Sequence, residues 1–267
     1  MDTAKSLSPN NSFKIKSIRF RTLVWRECYR FLRLSRQTIF PPIITTLLFI
    51  LIFGFSLGSR IKEIAGFPYI LFILPGLAAM GTINNSYANS STSLAMARMD
   101  HSIENMLSSP LSSIQLVLSF VIGGLIRGVI VGILPLLVSI PMVGLHVDNW
   151  GMVLLVLSLN SIFFSGMGIV SALVTDSWDQ IAMFTNFVIT PFVYLGGVFY
   201  SIEMLPPFWQ KISMLNPLFY MVDALRHAVL GVSDFNWAFS LSIVGILSLS
   251  SFSLCVYLFK RGYRLIK

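Results

Sequence analysis

Six strongly apolar stretches, at about residues 38–58, 68–95, 114–141, 151–174, 181–200 and 238–259, take up most of a 267-residue chain. Each reaches the roughly 20 apolar residues that a helix needs to cross a bilayer. Long continuous runs, rather than ten-residue alternating segments, predict spanning helices and not a β-barrel, because a helix satisfies its own backbone groups inside hydrocarbon. The fold class expected is therefore all-α, a polytopic membrane protein with six transmembrane helices. A charged fraction of 11% and a mean hydropathy of +0.79 exclude an ordinary soluble domain.

The net charge of +8 is distributed by topology. Lys5, Lys14, Lys16, Arg19, Arg21, Arg26, Arg30, Arg33 and Arg36 precede the first stretch, and Lys260, Arg261, Arg264 and Lys267 follow the last. An even number of spans puts both clusters on one side, and the positive-inside rule makes that side the cytosol. This distribution points to a membrane and not to nucleic acid. Cys28 and Cys255 suggest neither a disulfide nor a metal site. The first stretch follows a long basic leader with no convincing cleavage site, so it reads as an uncleaved span. No internal repeat is evident.

Residues 1–16 are expected to be a disordered cytosolic tail. In 17–37, Phe20, Val24, Cys28 and Phe31 share one helical face, with Trp25 and Leu32 beside them, and Arg19, Arg26, Arg30 and Arg33 take the other. Leu23 and Arg21 break the pattern. An amphipathic interfacial helix on the inner leaflet follows, turning into the first span around Pro41 and Pro42. It is either a topogenic anchor or a lever to a cytosolic partner.

Between the second and third spans, Asp100 or Ser102 would cap a short helix that Pro110 ends. Its ridge of Ile103, Met106 and Leu107 is too small for a core. The ridge either fills a groove on another protein, with Glu104 and Arg98 setting register, or rests on the inner leaflet. Beyond the fifth span, 201–237 is too apolar for an exposed loop and reads as an extracytoplasmic re-entrant segment. There Asn216 caps a helix, Pro217 takes its first position and Gly231 lies just past its end. Asp223 would pair with Arg226 and His227 at i+3 and i+4, and His227 reads as structural rather than catalytic.

The spans hold polar residues that lipid would penalise. Thr82 to Ser93 of the second span, including Asn84, Asn85 and Asn89, should face inward, as should Thr185, Asn186, Thr190 and Tyr194 of the fifth. These residues either glue helices together or line a pathway. Arg127, mid-way along the third span, costs at least about 2.5–3.5 kcal/mol if unpaired, and no acid lies deep in any span. A hydrogen-bonded structural arginine is the first reading of it and contact with an anionic cargo the second.

There is no Gly-x-x-x-x-Gly-Lys-Ser/Thr loop, no His-Glu-x-x-His, no Gly-x-Ser-x-Gly and no close set of His, Cys and carboxylate. No catalytic residue, metal site or bound cofactor is expected on this chain. Concentrative transport would then need buried carboxylates for ion coupling, which are missing, or energy from another subunit.

The stretch Leu205-Pro-Pro-Phe-Trp…Leu215-Asn-Pro-Leu-Phe-Tyr…Arg226 resembles the signature after the fifth span of ABC type-2 (ABC-2) permeases. Ile103-Glu-Asn-Met-Leu-Ser-Ser-Pro110 is similar to their coupling helix, although Met106 stands where Leu is usual. The resemblance runs over nearly the whole chain and is strongest to the bacterial YadH-like branch. It implies an ABC-2 type transmembrane domain over 17–267, with 17–37 as connecting helix and 98–110 as coupling helix. It implies a homodimer among membrane lipids of the bacterial inner membrane, and two copies of a separate ATPase subunit that carries ATP and Mg. Ile103, Glu104, Met106, Leu107 and Pro110 would couple to that ATPase, and spans two and five would line an exit path at the dimer seam. The expected function is the permease subunit of an exporter for an amphipathic, lipid-linked or drug-like substrate. An ion-coupled secondary carrier and a non-transporting membrane scaffold are the alternatives.

Overall fold

In a computed structural model of the chain, the structure describes residues 9–33, 35–53 and 63–265, with side chains described from 17 onward except at 35–37. The expected disorder of residues 1–8 and the end of the first span, 54–58, lie outside the described residues. Residues 9–16, expected to be disordered, instead open the first helix, α1 (Pro9–Arg33).

The remaining helices are α2 (Ser35–Leu51), α3 (Tyr69–Met99), α4 (Ser102–Leu107), α5 (Ser113–Val143), α6 (Trp150–Val174), α7 (Trp178–Phe184), α8 (Thr190–Leu195), α9 (Pro207–Leu215), α10 (Pro217–Leu230) and α11 (Trp237–Lys260). Of these, α4, α9 and α10 lie between the apolar windows and the others follow them. A two-stranded antiparallel hairpin, β1 (Glu63–Ile64) and β2 (Phe67–Pro68), stands before α3. Its two turn residues, Ala65 and Gly66, both have positive φ, as a tight two-residue hairpin requires.

Local chemistry sets the ends. Ser112 and Gln115 form a reciprocal capping box at the start of α5, and the side chains of Asn149 and Asn236 cap α6 and α11. As expected from sequence, the Asn216 side chain accepts from the Leu218 N–H at 3.0 Å, and Gly231 ends α10 at φ 71°. The helix α4 departs from expectation. Neither Asp100 nor Ser102 caps it; His101 precedes it at φ 53°, and it ends at Leu107 before Pro110. Pro41 and Pro42 sit inside α2 and not at the turn, which falls between α1 and α2 as a bend of 52°. Prolines are tolerated within apolar helices where neighbours take up the freed carbonyls; one turn on, Thr46 Oγ1 bonds back to the Pro42 carbonyl at 2.8 Å.

Among the described residues, α5, α6 and α11 are long and apolar enough to cross a membrane, and α1 with α2 counts as a fourth if taken as one bent segment. At 31 residues α3 is as long as α5, but its polar second half makes it less apolar. It is buried by its neighbours along most of its length and occupies the centre of the bundle. The fifth apolar window is a helix from Trp178 to Leu195 that widens to a π-turn at Thr185–Ile189, just before Pro191. The lost backbone donor of Pro191 and the wide turn both loosen this rod at its middle.

The core is joined by small residues. Along α5, Gly124, Gly128 and Gly132 recur every fourth position, against Ser90, Ser86 and Thr82 of α3 and against Ser165, Ser161 and Leu157 of α6. A Cβ at Gly128 would collide with both the Ser86 and Ser161 hydroxyls. Without a hydrophobic drive between helices in lipid, such close backbone approach supplies the packing. It also brings Thr82 Oγ1 within 3.2 Å of the Gly128 carbonyl and Ser90 Oγ within 3.3 Å of that of Phe120. This accounts for Thr82, Ser86 and Ser90 as packing residues.

Candidate functional site

Asn85, Asn89 and Ser93 follow one another at four-residue intervals, on one face of α3, and each meets a charged side chain from another helix. The guanidinium of Arg127, on α5, donates through Nε and Nη2 to Asn85 Oδ1 at 3.2 and 3.1 Å. One turn further, Arg30 of α1 donates to the backbone and side-chain oxygens of Asn89 at 2.8 and 3.1 Å, and to Thr92 Oγ1 at 3.4 Å. A turn beyond that, the Ser93 hydroxyl donates to the carboxylate of Glu27.

Glu27 is only 1% exposed and also holds Arg26 at 2.8 Å and Arg30 at 3.6 Å. It lies over Gly123 so closely that a Cβ there would come within 2.9 Å of Glu27 Cβ. Burial lowers the pKa of Arg30, and the neighbouring Glu27 carboxylate offsets part of that.

The placement of α1 corrects the amphipathic reading. The face turned to the bundle is centred on Leu23, Glu27 and Phe31, while Trp25, Tyr29 and Leu32 point outward and Arg30 points in. Glu27 is not legible from periodicity, in which a carboxylate scores as polar. Its signal was its isolation, as the one acid between Asp2 and Glu63 in a strongly basic segment. Arg19, Arg26 and Arg33 remain exposed.

Asn84 and Asn85 line a cavity of about 210 Å³ between α2 and α3, shared with Pro41, Thr45 and Thr46. The polar residues of the fifth window do not join them. Asn186 and Tyr194 are exposed, and Thr190 Oγ1 is spent on the Thr185 carbonyl at 3.0 Å. What links this rod to α3 is Phe184 stacked on Tyr87 at 5.8 Å.

At the opposite end of the bundle from α9 and α10, Ile103 (1% exposed) and Met106 (7%) of α4 are buried against the chain itself. The ridge is therefore not free to fill a groove elsewhere. Six residues of helix can expose only one face once the other is packed, and the outward face carries Glu104 and Asn105, with His101 Nδ1 at 3.1 Å from Glu104 Oε1. Leu107 is half-buried and Pro110 exposed. A groove of about 530 Å³ runs between α1 and α4, lined by Arg19, Thr22, Arg26, Asn105 and Met106.

Arg98 also turns inward instead of setting register. It donates to the carbonyls of Ala172 and, at 3.0 Å, Thr175, and lies 3.8 Å from Asp176. With Arg264 on the Val174 carbonyl at 2.6 Å, it satisfies the C-terminal end of α6, where a helix favours cations. Burial lowers the Arg98 pKa and Asp176 opposes that shift.

The helix α10 is locked by a buried ion cluster. Arg226 pairs with Asp234 at 3.0 Å and not with Asp223; it also donates to Gly197 O at 2.6 Å and covers the Phe72 ring at 3.9 Å. Asp223 accepts instead from the Asp234 N–H and the Ser240 hydroxyl, each at 2.7 Å. Burial pushes its carboxyl up, and these hydrogen bonds and Arg226 pull it back. The i+3 geometry favoured the expected pair, but the 231–236 turn brings Asp234 to the guanidinium first. His227 stacks flat on Trp237, with ring centres 5.0 Å apart. Among the described residues, no group of three or more His, Cys, Asp or Glu side chains could hold a metal.

A family model described as ABC-2 type transporter matches residues 18–230. The chain belongs to the ABC-2 type transporter family. The inner membrane transport permease YadH of Escherichia coli (strain K12) is 39% identical over 240 residues, 90% of this chain and 94% of that protein. Nodulation protein J of Sinorhizobium fredii (strain NBRC 101917 / NGR234) is 24% identical over 212 residues, 78% of this chain and 80% of that one. The same protein of Neorhizobium galegae is 24% identical over 210 residues with the same shares. As an ABC-2 permease the chain is a multi-pass protein of the bacterial inner membrane, a transport subunit and not itself an enzyme. Members of this family generally work with an ABC ATPase subunit.

Proposed function

We propose that this chain is the membrane half of an ATP-driven exporter, with six spans, both termini in the cytosol, and two copies paired with two copies of a separate ATPase that binds ATP and Mg. The observation that carries this reading is the groove between α1 and α4. It combines exposed Arg19 and Arg26 with an outward polar face of Glu104 and Asn105, on a helix whose apolar side is already anchored. Force on α4 or α1 has two rigid routes inward, through Glu27–Ser93 and Arg30–Asn89 to α3, and through Arg98 to the end of α6. ATP-driven closure of the partners would rock these helices and open a path outward.

The rod from Trp178 to Leu195 leaves Phe187, Phe192 and Tyr194 exposed beside Asn186, a mixed face that suits a second copy across a central path. Asn84 and Asn85 of α3, which line the cavity beside α2, and exposed Tyr194 suit an amphipathic, lipid-linked or drug-like cargo. The test is co-purification with an ABC ATPase encoded beside this chain. Glu104→Arg is expected to abolish stimulation of ATP hydrolysis without lowering the amount of chain inserted in the membrane. Full stimulation by that variant would contradict the reading.

A further inference from the structure

Arg30, Arg127 and the Glu27 carboxylate converge on the α3 ladder. Glu27 serves Arg26 and Arg30. Arg127 receives nothing from it. Among the described residues its one hydrogen-bonded side chain is Asn85, a neutral amide, and the charge acting on it is the repelling one of Arg30. A guanidinium at mid-span with no ion pair among the described residues is costly, and an intramembrane charge of this kind marks a functional site whose missing partner an anion can supply. Among the described residues Nη1 makes no hydrogen bond, and the Asn85 amide that orients the fork also lines the cavity between α2 and α3, with Asn84, Thr45 and Thr46. Asn85 Nδ2 is fixed on the Gly81 carbonyl at 3.0 Å, so its oxygen is held toward Arg127. A charged planar donor, the amide that orients it and a cavity which that same amide lines together with Thr45 are thus adjacent.

We propose that Arg127, oriented by Asn85 and backed by Arg30, binds the phosphate group of an anionic molecule that enters between α2 and α3. Basic pockets between spans take lipid phosphates for the same reason: the anion supplies the missing counter-charge. The site needs no ATPase, so it stands apart from the exporter reading. Its phosphate has two sources, a bilayer phospholipid or a soluble phosphate compound.

The test uses the full chain in neutral detergent, with thermal unfolding and native mass spectrometry as readouts. The probes are dioleoyl phosphatidic acid, dioleoyl glycerol of the same chains, and inorganic pyrophosphate. Phosphatidic acid is expected to raise the unfolding temperature and remain bound, while dioleoyl glycerol does neither. A response to pyrophosphate as well would indicate a water-accessible phosphate site, and no response to it a lipid site. Arg127→Gln is expected to weaken phosphatidic acid binding roughly ten- to hundredfold. Asn85→Asp keeps the arginine and places a carboxylate beside it. That variant is expected to unfold at a higher temperature than wild type without lipid and to lose the phosphate response, because the counter-charge is now built in. Equal stabilisation by dioleoyl glycerol, or undiminished phosphatidic acid binding by either variant, would overturn the proposal.

Discussion

The Ser93 hydroxyl of α3 donates to the Glu27 carboxylate of α1, and this buried bond fastens the basic N-terminal helix to the centre of the bundle. Glu27 lies over Gly123 of α5 as well, so one side chain joins three helices. Replacing Glu27 by Ala leaves Arg30 without its counter-charge, although Asn89 and Thr92 still hold it, and Ser93 without its acceptor. Because Arg30 is still a quarter exposed, the expected loss is at the lower end for a broken buried pair, about 2–3 kcal/mol. Unfolding in detergent checks this, and release of α1 should appear as faster hydrogen exchange in 17–33.

Removal of Arg226 should cost more. Its partner Asp234 is 6% exposed, and Arg226→Ala removes the counter-charge of that carboxylate, leaving it only the Ser201 hydroxyl and the Ile202 N–H in the cluster that closes α10 onto the start of α3. The expected loss is about 3–5 kcal/mol. Arg226→Ala with Asp234→Asn should recover part of it, a double-mutant cycle that isolates the pair.

Gly128 and Gly245 form a matched pair of tests. Gly128→Ala drives a methyl into the Ser86 and Ser161 hydroxyls and should destabilise by about 1–3 kcal/mol. Gly245→Ala meets nothing within 4 Å in α11 and should be neutral or raise stability by up to about 1 kcal/mol. Thermal unfolding of the two variants in the same detergent checks the contrast.

Much of this fold is legible in the chain because its signals are local. Apolar length gives the windows of α5, α6 and α11, and Asn216, Pro217 and Gly231 punctuate α10 by themselves. What the sequence does not carry is which way a mixed face turns. Ile103 and Met106 form an apolar ridge whether it packs at home or on a partner, and only the bundle's own geometry decides that it is buried. Polar residues mislead in the same way. Glu27 reads as surface and is core; Arg98 reads as a docking residue and caps α6; Arg226 finds Asp234 through a turn and not Asp223 along its own helix. The four-residue recurrence of Gly124, Gly128 and Gly132 was visible, but its meaning depends on the serines of α3 and α6 that face it.

Exposed Glu104 separates stability from coupling. Because it touches His101 and no buried group, Glu104→Arg should shift unfolding by no more than about 0.5 kcal/mol. Thermal unfolding of the chain alone is the measurement, to be compared with hydrolysis by the complex.

The most direct measurement of the central claim is uptake into proteoliposomes that hold the purified chain, with and without a partner ABC ATPase. Cargo should accumulate against its gradient only when the ATPase and ATP are both present, and the chain alone should stay inactive under imposed proton and sodium gradients. Uphill accumulation by the chain alone, driven by either ion, would contradict the account.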